Sequence, residues 1–372
     1  MTSSGRSSAD LGDELARAYP ELEAVRAAAE VPVYLVGGAV RDLLLGRSRG
    51  DVDLAVAGDA AALAARLGAE TTEHQRFGTA KVRLDGHEVD VAAIRRETYP
   101  RPGALPAVAP AESIAEDLGR RDFTINAMAL PLREPTELID PHGGEVDLEA
   151  GLLRVLHPAS FADDPTRALR AARYAARFDF ALEPETERLL RATDLGTVST
   201  DRRRAELLRL AAEATAPRGF ELLAEWGLVE LREGGVELAR RAGELLSAPP
   251  WDGFAPLDQV VLAAALGPGG AEVELAAREP ASPSQGVELA GRGDPVELVL
   301  ARALGAEWLD RYLEEWRFVG LEIDGGDLLA AGVPEGPVLG RALAAALAAK
   351  LDGEASGREQ ELVVALAAVD VG

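Results

Sequence analysis

Val33-Tyr34-Leu35-Val36-Gly37-Gly38-Ala39-Val40-Arg41-Asp42 reads as a short apolar strand, a paired-glycine turn and the opening of an apolar helix. A second strand follows at Asp51 to Ala57, and outward from these two lie β-rich runs at Thr79 to Leu84 and Glu88 to Ile94. Helical runs separate them, one after Gly38 and one from Asp59 to Leu67. Asp85-Gly86 between the last two strands is a hairpin signal, so at least part of the sheet is antiparallel. A doubly wound parallel sheet is thereby disfavoured.

Alternation along a strand puts Asp51 and Asp53 on one face while Val52 and Leu54 point into the core. Two carboxylates on one face repel unless a cation lies between them. Mg2+ takes oxygen ligands and bridges substrate phosphates, so such a pair is a natural floor for phosphoryl transfer. Gly37 and Gly38 let backbone N–H groups approach a phosphate at a helix start, although alone they equally mark a tight turn needing positive φ. Asp90, between Val89 and Val91, is expected to be an inward-facing acid in need of a partner, or else a solvated strand end. In Arg120-Arg121-Asp122-Phe123-Thr124-Ile125-Asn126-Ala127 the arginines can bind triphosphate or ribose oxygens, and Asp122 can hold a sugar hydroxyl or orient a guanidinium. Surface charge clusters of that composition are common.

Tyr99 to Pro110 carries four prolines and is expected to be an irregular loop of functional length. Beyond Ala159 the composition turns to Ala, Leu, Arg and Glu with helical periodicity, giving helices at Asp164 to Phe178, Pro184 to Thr193, Thr200 to Ala214 and Gly219 to Trp226. Gly267 to Asp294 reads as a linker or a poorly packed helical pair. The fold class is α+β: a mixed, partly antiparallel sheet domain followed by an all-α C-terminal region.

At 372 residues and 47% hydrophobic content the chain can form two or three domains with their own cores. It has no cysteine, which excludes disulfides and thiolate metal sites. No stretch reaches the roughly 18 uninterrupted apolar residues of a membrane span, so the cytoplasm is the expected location and no membrane partner is expected. The net charge of −24 runs against the basic footprint of a nucleic-acid binder. Its distribution softens this, because residues 211–372 hold 28 acidic and 12 basic groups, a net of −16, leaving −8 for residues 1–210. Lysine occurs only at Lys81 and Lys350, so nearly all positive charge is arginine, the better bidentate partner for phosphates. His74, His87, His142 and His157 are scattered without metal-ligand spacing and read as structural; no phosphohydrolase-type His-Asp pair is present.

Leu35 to Asp42, Gly50 to Asp53, Arg120 to Ala129, Asp140-Pro141-His142-Gly143-Gly144 and Asp163 to Arg173 resemble, in order, the motifs of the bacterial class II tRNA nucleotidyltransferase and poly(A) polymerase family. The likeness spans roughly residues 30–230. A weaker match lies at Asp324-Gly325-Gly326-Asp327-Leu328-Leu329 with Gly332 and Gly336-Pro337. The resemblance implies a polymerase-β-like head domain at 26–156 after an N-terminal extension at 1–25, a helical base-reading neck at 157–215, and a helical body and tail at 216–372 that binds tRNA. It implies template-independent addition of C and A to the tRNA 3′ end from CTP and ATP with two Mg2+ ions. No obligatory protein partner is evident.

Carried onto this sequence, Gly37, Gly38 and Arg41 would cradle the triphosphate. Asp51 and Asp53 would hold the metals, with Asp90 as third carboxylate. Arg121, Asp122 and Asn126 would lie at the ribose and phosphates, and Asp164 and Arg167 would read the base. Asp163 and Asp201 stand where the family more often has Glu, which keeps the charge but shortens the reach. On a helix, the i, i+3 spacing of Asp164 and Arg167 brings both side chains to one face. Together they can pair with the exocyclic amine and ring nitrogen of C or A, whereas U or G would set a carbonyl against the acid at a cost of about 1–3 kcal/mol. Arg170, Arg173 and Arg177 on the same run, and Arg202 to Arg204 on the next, are candidates for nucleotide or tRNA phosphates, or simply solvated helix faces. Rival readings are CC-only, A-only or poly(A) addition, a non-catalytic RNA-binding protein on this scaffold, and a small-molecule transferase. The long loop before Arg120 favours full CCA addition, because CC-only enzymes of the family tend to have it reduced.

Overall fold

The computed structural model describes residues 8–47, 50–68, 79–134 and 136–370; His74 lies outside them. The chain divides into two compact units, Met1–Glu206 with Glu225–Leu228, and Leu207–Ala224 with Val229–Gly372.

The first unit is organised by strands β1 (Val33–Val36), β2 (Val52–Val56), β3 (Thr79–Leu84), β4 (His87–Ala93), β5 (Arg95–Thr98), β6 (Ala107–Pro110) and β7 (Ala129–Pro131). Five of them form one sheet in the order β3-β4-β2-β1-β7, parallel only between β2 and β4. The mixed, partly antiparallel sheet matches the expectation. Asp85 and Gly86 turn the β3–β4 hairpin with φ of 47° and 84°, the double positive φ that a tight hairpin turn requires. One face of the sheet buries Val52, Leu54, Val56, Val89 and Val91, and the Gly38–Leu44 and Ala60–Arg66 helices pack on the sheet. Asp59 caps the second helix, its carboxylate accepting from the Ala62 N–H at 3.0 Å. A second cluster gathers Val36, Ala55, Ile94, Leu118, Ala127 and Ala129. Because Ala55 is two residues beyond Asp53 on β2, this cluster occupies the face that carries Asp53.

The proline-rich stretch departs from the expectation of a wholly irregular loop. Ala107–Pro110 is a strand paired antiparallel with Arg95–Thr98. Its proline lies at the last position of a two-stranded ribbon, where a missing N–H costs little. The irregular part shrinks to Tyr99–Pro106.

The helices after Ala159 run Ser160–Asp163, Thr166–Phe178, Pro184–Arg191 and Thr200–Ala211. Thr166–Phe178 buries Ala168, Leu169, Ala171, Ala172, Ala175 and Phe178, an apolar stripe at helical spacing. The second unit is helical throughout its described residues. Gly235–Leu245 packs on Leu257–Leu266 and Pro295–Leu304, while Pro337–Leu351 packs on Gly357–Asp370 around Leu328, Ala342, Ala346 and Ala365. The Gly/Pro/Ser-rich interval is a pair of helices, Ala271–Ala276 and Pro283–Ala290, rather than a linker. Among the described residues no helix is long and apolar enough to cross a membrane.

Candidate active site

Strand register decides the centre of the site. Asp53 on β2 is paired directly with Asp90 on β4, Val36 lies on its other side, and Lys81 pairs with Asp90. Registered partners share a face, so Val36, Asp53, Asp90 and Lys81 form one row across the sheet. Asp51 precedes β2, is exposed, and stands near enough for its charge to act on Asp53. Burial pushes the Asp53 carboxyl above its ordinary range, Arg121 pulls it back, and the charges of Asp90 and Asp51 add to the rise. Asp90 is not the enclosed acid expected from its apolar neighbours. Its side chain is 48% exposed and lies 3.4 Å from Lys81, because Val89 and Val91 point to the opposite face.

The chemistry of this donor set suits a hard divalent cation: Asp53 and Asp90 paired on one face, Asp51 nearby, oxygen ligands only, and a mutual repulsion that positive charge would relieve. Among the described residues no group of three or more His, Cys, Asp or Glu side chains is placed so that it could by itself hold a metal ion. A cation here would complete its shell from phosphate and water oxygens, as Mg2+ commonly does.

The glycine turn abuts this row. Gly37 follows Val36 with φ 69° and ψ −130°, a conformation open to glycine alone at low cost. A Cβ added there would stand 2.6 Å from the Arg121 Nη1. Arg121 therefore lies across the turn and also interacts with Asp53. It is held from behind by Asp117, whose carboxylate accepts from the Arg121 Nη2 at 3.2 Å and the Arg120 Nε at 3.0 Å. Glu97 accepts from Arg120 and Arg95, each at 3.1 Å, and from the Tyr99 hydroxyl at 3.2 Å.

Arg41 is enclosed, at 4% exposure. It donates to Asp42 at 2.9 Å and to the Asn126 Oδ1 at 2.6 Å, and its guanidinium lies 4.5 Å from the Phe178 ring centre. Asn126 in turn donates to Asp122 at 3.0 Å, and Asp122 accepts from Arg170 at 2.8 Å. Burial raises the Asp122 carboxyl, but Arg170 and the Asn126 and Phe123 N–H groups outweigh it and hold the pKa at about 2. Arg170 also reaches the Tyr174 hydroxyl at 2.8 Å, and Arg173 lies 4.7 Å from the Tyr174 ring centre. Arg41, Asp122, Asn126, Arg170 and Arg173 are thus joined in one internal network. The arginine stripe expected on that helix faces Asp122 and Glu206 at its first two positions, with Arg170 and Arg173 side chains 29% and 12% exposed.

Asp164 and Arg167 are brought close, but not as expected. Asp164 precedes the helix in an extended conformation, separated from it by Pro165, so the i, i+3 helical argument does not apply. Its carboxylate accepts from the Thr166 hydroxyl at 2.6 Å and from Arg202 at 2.9 Å. Arg167 donates to the Ser160 hydroxyl at 2.5 Å and the Arg120 carbonyl at 2.7 Å. Arg202 also donates to the Gly103 carbonyl at 3.0 Å, so the loop after Tyr99 is moored beside Asp164. Tyr99 faces Arg167 and Asp164, and burial pushes its hydroxyl up to about 12.

Asp117, Glu97, Tyr99 and Lys81 were not singled out by the sequence reading. Asp117 stands three and four residues before Arg120 and Arg121, the ordinary ion-pair spacing of a helix, a signal too common to select it. The other three depend on strand pairing and loop mooring.

A family model described as the poly A polymerase head domain matches residues 33–154. The CC-adding tRNA nucleotidyltransferase of Deinococcus radiodurans is 36% identical over 357 residues, covering 90% of this chain and 89% of that protein. The A-adding tRNA nucleotidyltransferase of Aquifex aeolicus is 51% identical over 170 residues, which is 44% of this chain but only 20% of the relative's length. The solved Thermotoga maritima CCA-adding enzyme, complexed with tRNA, has a TM-score of 0.69 at 28% identity over 98% of this chain and 99% of that one. A head domain matched by family, a relative matched almost end to end and a shared fold lead to one conclusion: the chain belongs to the tRNA nucleotidyltransferase and poly(A) polymerase family.

Proposed function

We propose that this chain completes the 3′ end of tRNA by adding C and then A from CTP and ATP without a template. The observation that carries the reading is the Asp53–Asp90 pairing beside the Gly37 turn, with Arg121 across that turn. In the reaction the tRNA 3′-hydroxyl oxygen attacks the α-phosphorus, a new phosphodiester bond forms, and pyrophosphate leaves. Asp51, Asp53 and Asp90 would hold two Mg2+ ions. Bound there, the metals supply charge neutralisation and make the hydroxyl easier to deprotonate.

The remaining steps belong to binding and orientation. Backbone N–H groups at Gly37 and Gly38 and the Arg121 guanidinium face the phosphates. Arg41, Asn126, Asp122, Arg170 and Arg173 act mainly behind them, as the network that holds the turn and the Arg121 segment in place. Asp164 and Arg167 read the base edge. Arg202 already occupies one Asp164 oxygen, so the acid presents its other oxygen to an exocyclic amine. In this proposal the head is 26–156, the base-reading neck 157–215 and the body 216–372, with tRNA contacts along the helical part.

CC-only addition is the second reading, favoured by the 90% coverage of this chain by a CC-adding relative. Transcripts of tRNA ending before the tail, after C and after CC, each given labelled CTP or ATP with Mg2+, separate the two. Full CCA addition extends the first transcript by three nucleotides when both nucleotides are present and the third by one A. A product that stops after CC assigns the chain to the CC-adding group, and no extension of any transcript overturns the proposal.

A further inference from the structure

Asp117 lies in the Ile114–Gly119 helix, away from the strands of the sheet row, and is 1% exposed. Its two oxygens accept from the Arg95 N–H at 3.1 Å, from Arg120 at 2.9 and 3.0 Å, and from the Arg121 Nη2 at 3.2 Å. In front, Arg121 feels the charge of Asp53. Its Nε is enclosed without a hydrogen-bond partner, and its Nη1 hangs over the Gly37 turn. A long, rotamer-rich side chain in that position loses its aim unless something behind it fixes the fork. Arg120 cannot do so, because it carries the same charge and shares the same carboxylate. Glu97 engages Arg120 and Arg95 and leaves Arg121 to Asp117.

We propose that Asp117 is a positioning residue for nucleotide binding: it anchors the Arg121 guanidinium across the glycine turn, so that an incoming triphosphate meets a preorganised cation. The inference rests on the reading that Arg121 contacts the nucleotide. Asp117 also accepts the N–H at the start of β5, so the base of the proline-rich ribbon and Arg121 share one anchor.

The test is a double-substitution cycle on the full chain, with steady-state kinetics for CTP and ATP on a tRNA transcript. Asp117→Asn keeps the shape and an acceptor oxygen but removes the charge and sets an amide against the guanidiniums. It is expected to raise KM for both nucleotides about tenfold, equivalent to about 1.4 kcal/mol, with kcat changed less than threefold. In the Arg121→Ala background the same substitution should change KM by less than twofold, because its target is gone. A purely structural Asp117 would lower the melting temperature and the active fraction, leaving KM unmoved in both backgrounds. The proposal is overturned if Asp117→Asn leaves KM unchanged while Arg121→Ala raises it, or if the two effects multiply. If Arg121→Ala itself leaves KM unchanged, the nucleotide-site reading fails and this inference fails with it. Should Asp117→Asn not fold, Asp117→Glu, which keeps the charge and moves it by one methylene, is run through the same cycle under the same criteria.

Discussion

Replacing Gly37 by alanine tests the geometry on which the site depends. Two costs follow from the structure. The backbone at φ 69° and ψ −130° is one that a residue with a Cβ reaches only with strain, about 1–3 kcal/mol. The new methyl would also stand 2.6 Å from the Arg121 Nη1, inside any real contact distance, so the guanidinium must move. Gly46 provides the control. Its φ of 61° is also positive, but nothing lies within 4 Å of its would-be Cβ. Gly46→Ala should carry only a backbone cost of about 1 kcal/mol and leave nucleotide binding alone. Gly37→Ala should cost about 2 kcal/mol, lowering the melting temperature of a unit of about 200 residues by roughly 4–8 °C, and should raise the KM for CTP and ATP about tenfold. Thermal melts followed by circular dichroism, paired with incorporation kinetics, read both. Equal melting and equal KM for the two variants would refute the close approach of Arg121 to the turn.

Asp53→Asn is expected to lower kcat on the order of a thousandfold, as loss of a group that holds divalent cations should. Its melting temperature should stay level or rise, since the substitution removes one of three mutually repelling acids; a variant that loses stability and keeps transfer would exclude the carboxylate row as the catalytic floor. Asp122 ties stability to pH. Its folded carboxyl, at about 2 against an ordinary 3.8, contributes stability that is fully present above pH 4 and is lost as pH falls towards 2. Urea unfolding of wild type and Asp122→Asn should therefore differ by about 2 kcal/mol at pH 6, with the gap narrowing below pH 4. A gap independent of pH down to 3 would show that the Arg170 pair does not set the Asp122 charge.

Much of the first unit was readable because its signals are local. The strand at Val33 to Val36 was expected where it forms, and so was the turn at Asp85-Gly86. Local reasoning failed where one residue changed the meaning of a spacing: Pro165 separates Asp164 from the helix that holds Arg167. The partners of Arg41 lay beyond local reach: its guanidinium donates to Asn126 and lies against the Phe178 ring.

By itself, then, the amino-acid order determined the β3–β4 hairpin, the helical character of the second half and the family to which the motifs belong. Only the tertiary structure decided that Asp53 meets Asp90, that Arg121 crosses the Gly37 turn and that Arg202 moors the loop beside Asp164. The physical reason is range. Backbone periodicity and turn chemistry act over a few residues, so they set the direction of a side chain. Its neighbours are set by strand register and helix docking, which are won by burying surface far apart in the chain.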